Sequence, residues 1–105
     1  MKNVCLKIGD KEFQKMYPMI GDWKNLLQFN ETVKGKNMIA DTEPMAEVIH
    51  VVAEYVGAPE AEIEKHCSLD KILEAFHAID ENIVEAFTGG KDPKNAEGRK
   101  RPAKQ

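Results

Sequence analysis

The feature that most constrains the fold is a long apolar stripe near the end of the chain, between Ser68 and Gly89-Gly90. Its apolar side chains recur every three or four residues, which is the spacing of one helix face. The stripe consists of Leu69, Ile72, Leu73, Phe76, Ile79, Ile83, Val84 and Phe87. Ser68 suits a helix N-cap, and the two glycines suit a helix end. The pattern therefore predicts a long helix that buries this stripe against other elements.

Three further segments carry helical signals. Residues 18–34 open on a proline, whose missing N–H is not needed in a first helical turn, and they precede a glycine. The next helix begins at Asp41 or Thr42 and ends at Gly57, with apolar residues at the spacing of one buried face. Residues 59–66 form a short acidic helix or helical turn, because their glutamates favour a helix N-terminus.

The start of the chain alternates instead. Val4, Leu6 and Ile8 alternate with Cys5 and Lys7, which is the period of a half-buried strand. A glycine-containing turn follows, and the alternation then resumes, so we expect a β-hairpin. Because a lone hairpin is marginally stable in water, a helix must cover its apolar face. The chain is thus predicted to be mainly α, a bundle of three to four helices with a short N-terminal β-hairpin.

Charge is distributed unevenly along the 105 residues. Residues 89–105 hold six basic and two acidic side chains, a net charge of +4, whereas residues 1–88 hold nine basic and sixteen acidic, a net charge of −7. Residues 91–105 also contain two prolines and no large apolar side chain. We therefore expect a binding domain over residues 1–90 and a disordered basic tail over residues 91–105.

The tail contains one compact cationic cluster, Arg99-Lys100-Arg101. Such a cluster can contact nucleic acid or another acidic surface, but the tail has no aromatic residue to stack on bases. The simpler interpretation is a solvated end. If the tail does bind nucleic acid, the binding will weaken with salt and disappear on truncation after Gly90.

The sequence offers no arrangement typical of catalysis or metal binding. His66 and Cys67 are adjacent, so they point in different directions on a helix, and no CxxC, HxxxH or HExxH spacing occurs. Ser68 is explained as a helix cap, although a small enzyme or carrier using Cys67 or Ser68 is an alternative that a covalent adduct would reveal. We therefore expect a binding protein rather than an enzyme, with no metal or cofactor.

The cell compartment is predicted from the absence of certain apolar segments in the sequence, and the residues that contact a partner are predicted from the tryptophan. No apolar run reaches the length of a membrane span and no secretory signal is visible, so the cytoplasm is the expected compartment. Trp23 is the only tryptophan. The simpler interpretation is that Trp23 anchors the core. The alternative is that Trp23, with Leu26 or Leu27, contacts a partner, since tryptophan is enriched where proteins bind each other.

The order of elements resembles one known family. An alternating N-terminal segment (residues 4–13) leads to a helix with Asp-Trp-Lys-Asn-Leu-Leu at residues 22–27. Acidic helices follow, then Ile-Val-Glu-Ala-Phe-Thr-Gly-Gly at residues 83–90, then a charged tail. In length, pattern and order, the chain is similar to the tail assembly chaperones of long-tailed phages and prophages of Gram-positive bacteria.

The resemblance implies a function and partners. Such proteins bind the long, largely helical tape measure protein and keep it soluble while tail-tube protein polymerises around it. Many have a second, longer form made by ribosomal frameshifting, and residues 92–95 lie where such a shift could occur. The alternative is a small adaptor or regulatory protein that binds another protein or nucleic acid through its basic tail. Self-association through spare apolar residues is a further expectation.

Overall fold

The computed structural model of the chain describes residues 1–89. The elements in chain order are β1 (Val4–Ile8), β2 (Lys11–Lys15), α1 (Ile20–Thr32), α2 (Thr42–Val56), α3 (Glu60–His66) and α4 (Leu69–Phe87). The prediction of a mainly helical protein with an N-terminal β-hairpin is confirmed. The predicted tail, residues 91–105, lies outside the described residues.

The hairpin follows from the alternation of its residues. β1 and β2 pair antiparallel, with Val4 opposite Lys15 and Ile8 opposite Lys11. Gly9 has a φ of +65°, whereas Asp10, like every other non-glycine residue in residues 1–89, does not have a positive φ, so this two-residue connection has the pattern of a type II′ turn. Every second side chain of β1 is buried and the others are exposed. One apolar face therefore covers the core and the other faces solvent.

Helix α2 is the centre of the core. It contacts α1, α3, α4 and both strands. Val48, Val51 and Val52 on this helix are completely buried. The apolar face of the hairpin packs against α2 and α4, so helices provide the cover that a lone hairpin lacks. Residues from all six elements thus share one core.

The predicted helix ends are confirmed where the signal is local. Asp41 is the N-cap of α2, and Gly57 ends that helix with a φ of +80°, a left-handed conformation that glycine adopts without strain. Ser68 is the N-cap of α4. The rings of Phe29 in α1 and Phe76 in α4 lie 4.7 Å apart between centroids, and this contact joins the two helices.

A buried amide fastens the hairpin to the helices. The side-chain N–H₂ of Asn82 in α4 donates to the carbonyls of Lys2, at 2.7 Å, and Met16, at 3.0 Å. Its oxygen accepts the backbone N–H of Lys2 at 2.9 Å. The hydroxyl of Tyr55 in α2 donates to the same Met16 carbonyl at 2.6 Å. Both outer ends of the hairpin are therefore held by side chains from two helices.

A buried carboxylate makes a second connection. Asp22, in the first turn of α1, accepts hydrogen bonds from the Lys15 ammonium and the backbone N–H of Met19, each at 2.7 Å. The Lys15 ammonium also lies 4.6 Å from the ring centroid of Tyr55. Asp22 thus satisfies an unpaired donor at the start of α1 and pairs with the Lys15 ammonium from the end of β2.

The contact between His50 in α2 and Glu60 in α3 makes stability depend on pH. The two side chains lie 2.9 Å apart, and this hydrogen bond raises the pKa of His50 above its usual value of about 6.5, although burial opposes the rise. Because the pKa of His50 is raised on folding, the stabilisation is complete below the unfolded pKa and disappears as pH rises through the folded one. The free energy of unfolding of wild type should exceed that of Glu60→Gln by about 0.5 kcal/mol at about pH 5.5. The difference is small because both side chains are exposed.

Urea denaturation of the two proteins across this pH range measures the effect. The difference between wild type and Glu60→Gln should fall to a smaller value at about pH 9, where His50 is neutral and only the favourable charge of Glu60 in the first turn of α3 remains. A difference that stays constant from pH 5.5 to 9 would show that His50 protonation does not contribute. The doubly substituted protein His50→Gln, Glu60→Gln is the control, because it lacks the titrating group of this pair.

Candidate protein-binding site

An apolar row on α1 faces solvent. Ile20, Trp23 and Leu27 have the i, i+3, i+7 spacing of one helix face, and all three are exposed. Leu26 lies about 100° around the helix from Leu27, toward the core, and is only 8% exposed. Of the three residues predicted to contact a partner, Trp23 and Leu27 are therefore accessible, whereas Leu26 is buried in the core.

Helix α4 extends this row into a continuous surface. The ring of Phe87 contacts the ring of Trp23 edge to face, with centroids 6.0 Å apart and planes at 60°. Phe87 is nevertheless 71% exposed, and Val84, one turn earlier, is also exposed. We call Ile20, Trp23, Leu27, Val84 and Phe87 together the α1–α4 surface.

The sequence pattern did not reveal the α4 half of this surface. Val84 and Phe87 belong to the apolar stripe that was predicted to be buried, and the core contains Ile72, Ile79 and Ile83 from the same stripe. Val84 lies at one edge of this wide stripe, and an apolar position there is a candidate for an outside contact. Phe87 lies near the middle of the stripe, so the pattern gave no signal for its exposure; it is the last residue of α4.

The α1–α4 surface has the chemistry of a protein-binding site. Contiguous exposed apolar side chains, rather than single ones, are typical of surfaces that bind other proteins. Two aromatic rings in contact supply rigid apolar area of the type that is enriched at binding hot spots. The face of an amphipathic helix is a complementary shape for two neighbouring helices. The surface can therefore shield an apolar helix stripe from water without any reactive group.

The reactive side chains lie elsewhere, near β1 and the start of α4. Cys5 is exposed and Cys67 is half-buried, and both are free thiols. Desolvation, with a hydrogen bond to the Glu12 carboxylate, raises the pKa of Cys5, and burial raises the pKa of Cys67. A raised thiol pKa lowers the thiolate fraction, so both groups are weak nucleophiles at neutral pH. His66, beside Cys67, is exposed.

Binding of a metal by a side-chain cluster and crossing of a membrane by a helix each require features that residues 1–89 lack. Within this part of the chain, no group of three or more His, Cys, Asp or Glu side chains is placed to hold a metal ion. Over the same range, no helix combines the length and apolarity needed to cross a bilayer. The tail residues Arg99, Lys100 and Arg101 lie outside the described residues, so their role stays a prediction.

Comparison with known proteins returned no relative. The chain matched no protein-family model, no curated protein and no solved structure. The resemblance to tail assembly chaperones and the absence of enzymatic activity therefore both stay predictions.

Proposed function

We propose that this chain is a tail assembly chaperone of a long-tailed phage or prophage. In this proposal, the α1–α4 surface binds an amphipathic segment of the tape measure protein and shields it until tail-tube protein polymerises around it. The observation that carries the proposal is the contiguous exposed apolar surface joined by the contact of Trp23 with Phe87. The identity of the partner rests on the resemblance in length and order of elements.

The charge of the protein suits this task. Residues 1–88 carry a net charge of −7, while the α1–α4 surface is formed by five apolar side chains. Apolar contact supplies the attraction for a helix, and the acidic remainder makes neighbouring complexes repel each other. A long tape measure protein covered by many such molecules would therefore stay dispersed.

Gene order gives a first test. A tail-tube gene before this one and a very long tape measure gene after it are expected. Location inside a metabolic operon would contradict the proposal.

The binding surface can be tested directly with Leu27→Gln, Phe87→Gln. Each substitution removes an exposed apolar side chain that would be buried by the partner, and such burial is worth about 1.5 kcal/mol or more per side chain. We expect the affinity for the tape measure protein to fall about a hundredfold, because about 1.4 kcal/mol corresponds to a factor of ten. The soluble fraction of tape measure protein on co-expression should fall with it.

The matched control is Ile39→Gln, Leu69→Gln. These two side chains are also exposed, at 97% and 61%, but lie outside the α1–α4 surface. The control should solubilise tape measure protein as wild type does, and thermal unfolding should show all three proteins folded. Equal solubilisation by Leu27→Gln, Phe87→Gln would exclude this surface as the binding site. Absence of any complex with wild type would exclude the proposed function.

A further inference from the structure

β1 presents an unpaired edge. Within residues 1–89 the sheet has two strands, so β1 pairs on one side only. Ile8 and Lys11 flank the two-residue turn and form a hydrogen-bonded pair. Along an antiparallel ladder, such pairs alternate with pairs that are not hydrogen-bonded to each other, here Lys7 with Glu12 and Cys5 with Gln14. The backbone N–H and C=O groups of Cys5 and Lys7 therefore point away from β2. Neither residue has another backbone hydrogen-bond partner among those described.

This edge borders a groove of about 1180 Å³. β1 forms one side of the groove, and the end of α3 with the first half of α4 forms the other. Cys67, Leu73 and Ala78 contribute half-buried apolar surface from that second side. Charged side chains, including Lys71 and Glu74, complete the lining. The groove thus combines free backbone donors and acceptors with apolar contacts opposite them.

An extended peptide is the ligand that can both hydrogen-bond to the free backbone groups of β1 and contact the apolar side chains opposite them. A strand beside β1 would pair with the free groups of Cys5 and Lys7, and every second side chain would point to the same face. A pocket for a compact small molecule would leave the row of backbone groups unpaired. Native proteins normally block such an edge with charge, proline or a covering element. β1 has one lysine, Lys7, and no proline, and the groove leaves its outer backbone groups uncovered.

The groove favours one isolated strand from another protein. A second copy of the hairpin would bring its own β2 about 4.8 Å beyond the added strand, and α4 lies on that side. The remaining segment of this chain, residues 91–105, has two prolines and no large apolar side chain to contact Leu73 and Ala78.

We propose that this groove binds an extended peptide segment of a partner protein, which adds to β1 as a third strand and places apolar side chains against Leu73 and Ala78. The groove shares no residue with the α1–α4 surface. The protein can therefore hold a helix on one side and an extended segment on another. This inference does not depend on the identity of the partner in the proposed function.

The test uses a display library of random octapeptides screened against the full chain. Cys5→Pro removes an N–H that points into the groove, and it leaves the hydrogen bonds between β1 and β2 in place. Gln14→Pro is the matched control, because Gln14 is the cross-strand partner of Cys5 and its N–H points to the opposite edge. Ala78→Arg fills the groove from α4 without altering either strand.

Peptides enriched on wild type should alternate apolar and polar residues. Their affinity should fall about tenfold for Cys5→Pro and for Ala78→Arg, since a lost hydrogen bond and its contacts are worth about 1.4 kcal/mol, and it should not change for Gln14→Pro. Binding should also slow hydrogen exchange of the Cys5 and Lys7 amides at least about tenfold. Thermal unfolding of each variant confirms that it is folded.

Three results would overturn the inference. The first is a screen that enriches no peptide. The second is a set of peptides that binds Cys5→Pro and Ala78→Arg as tightly as wild type. The third is a bound peptide that leaves the Cys5 and Lys7 amides unprotected. None of these results concerns Leu27 or Phe87, so the failure of this site and the failure of the chaperone proposal are distinguishable.

Discussion

Asn82→Ala should lower the free energy of unfolding by about 3 kcal/mol. Asn82 is 1% exposed. Its side-chain oxygen accepts the Lys2 N–H, and its side-chain N–H₂ donates to the carbonyls of Lys2 and Met16. Alanine removes these bonds and leaves partly buried backbone groups without partners, which costs more than the bonds themselves contribute. Equilibrium urea denaturation measures the change, and the melting temperature should fall by more than about 10 °C.

Asn30→Ala is the control for this prediction, because Asn30 is an exposed asparagine on a helix. It should change stability by no more than about 0.5 kcal/mol. Tyr55→Phe should give an intermediate loss of about 1 kcal/mol, since it removes the hydroxyl that donates to Met16 but leaves the ring in the core. If Asn82→Ala cost less than Tyr55→Phe, the amide would not be the main attachment of the hairpin.

Ile79→Ala should cost about 3 kcal/mol or more. Ile79 lies in the middle of α4, its side chain is completely buried, and it belongs to the core shared by all six elements. The shorter side chain loses apolar burial and leaves a cavity, because neighbours in a close-packed interior relax only partly. Chemical denaturation with a constant m-value would show that stability alone has changed.

Val84→Ala is the matched control on the same helix. Val84 is exposed, so the substitution should cost less than about 1 kcal/mol. The comparison tests whether the apolar stripe of α4 has a core side and a binding side. Equal losses at Ile79 and Val84 would show that both are core residues, and the α1–α4 surface would then need another definition.

The positions of the elements could be predicted because their signals are local. The alternation of β1 and the periodic stripes of α2 and α4 each involve residues a few positions apart. Pro18 was predicted to open the first helix, but α1 begins two residues later, at Ile20. Asp41 and Ser68 stand at the predicted N-cap positions, and Gly57 at the predicted stop, although neither N-cap side chain makes a capping hydrogen bond. Backbone sterics and side-chain period are enough to determine such features.

The assignment of apolar side chains to core or surface could not be predicted. Leu26 and Leu27 are neighbours of the same type, yet one is buried and the other exposed. The same holds for Ile83 and Val84. The helical period shows in which direction each side chain of a helix points. It does not show which of these directions a neighbouring helix covers, because that depends on how the helices pack.

The mainly helical class, the hairpin, the boundaries of α2 and α4, and the acidic body all follow from patterns within the amino-acid sequence. The edge of the sheet, the apolar side chains that remain accessible and the hydrogen bonds of Asn82 became visible only in the folded chain. Asn82 bonds to residues 80 and 66 positions away, and Trp23 meets Phe87 from another helix. The physical reason is that local patterns report the conformation of one segment, whereas contacts between segments appear only when the core forms.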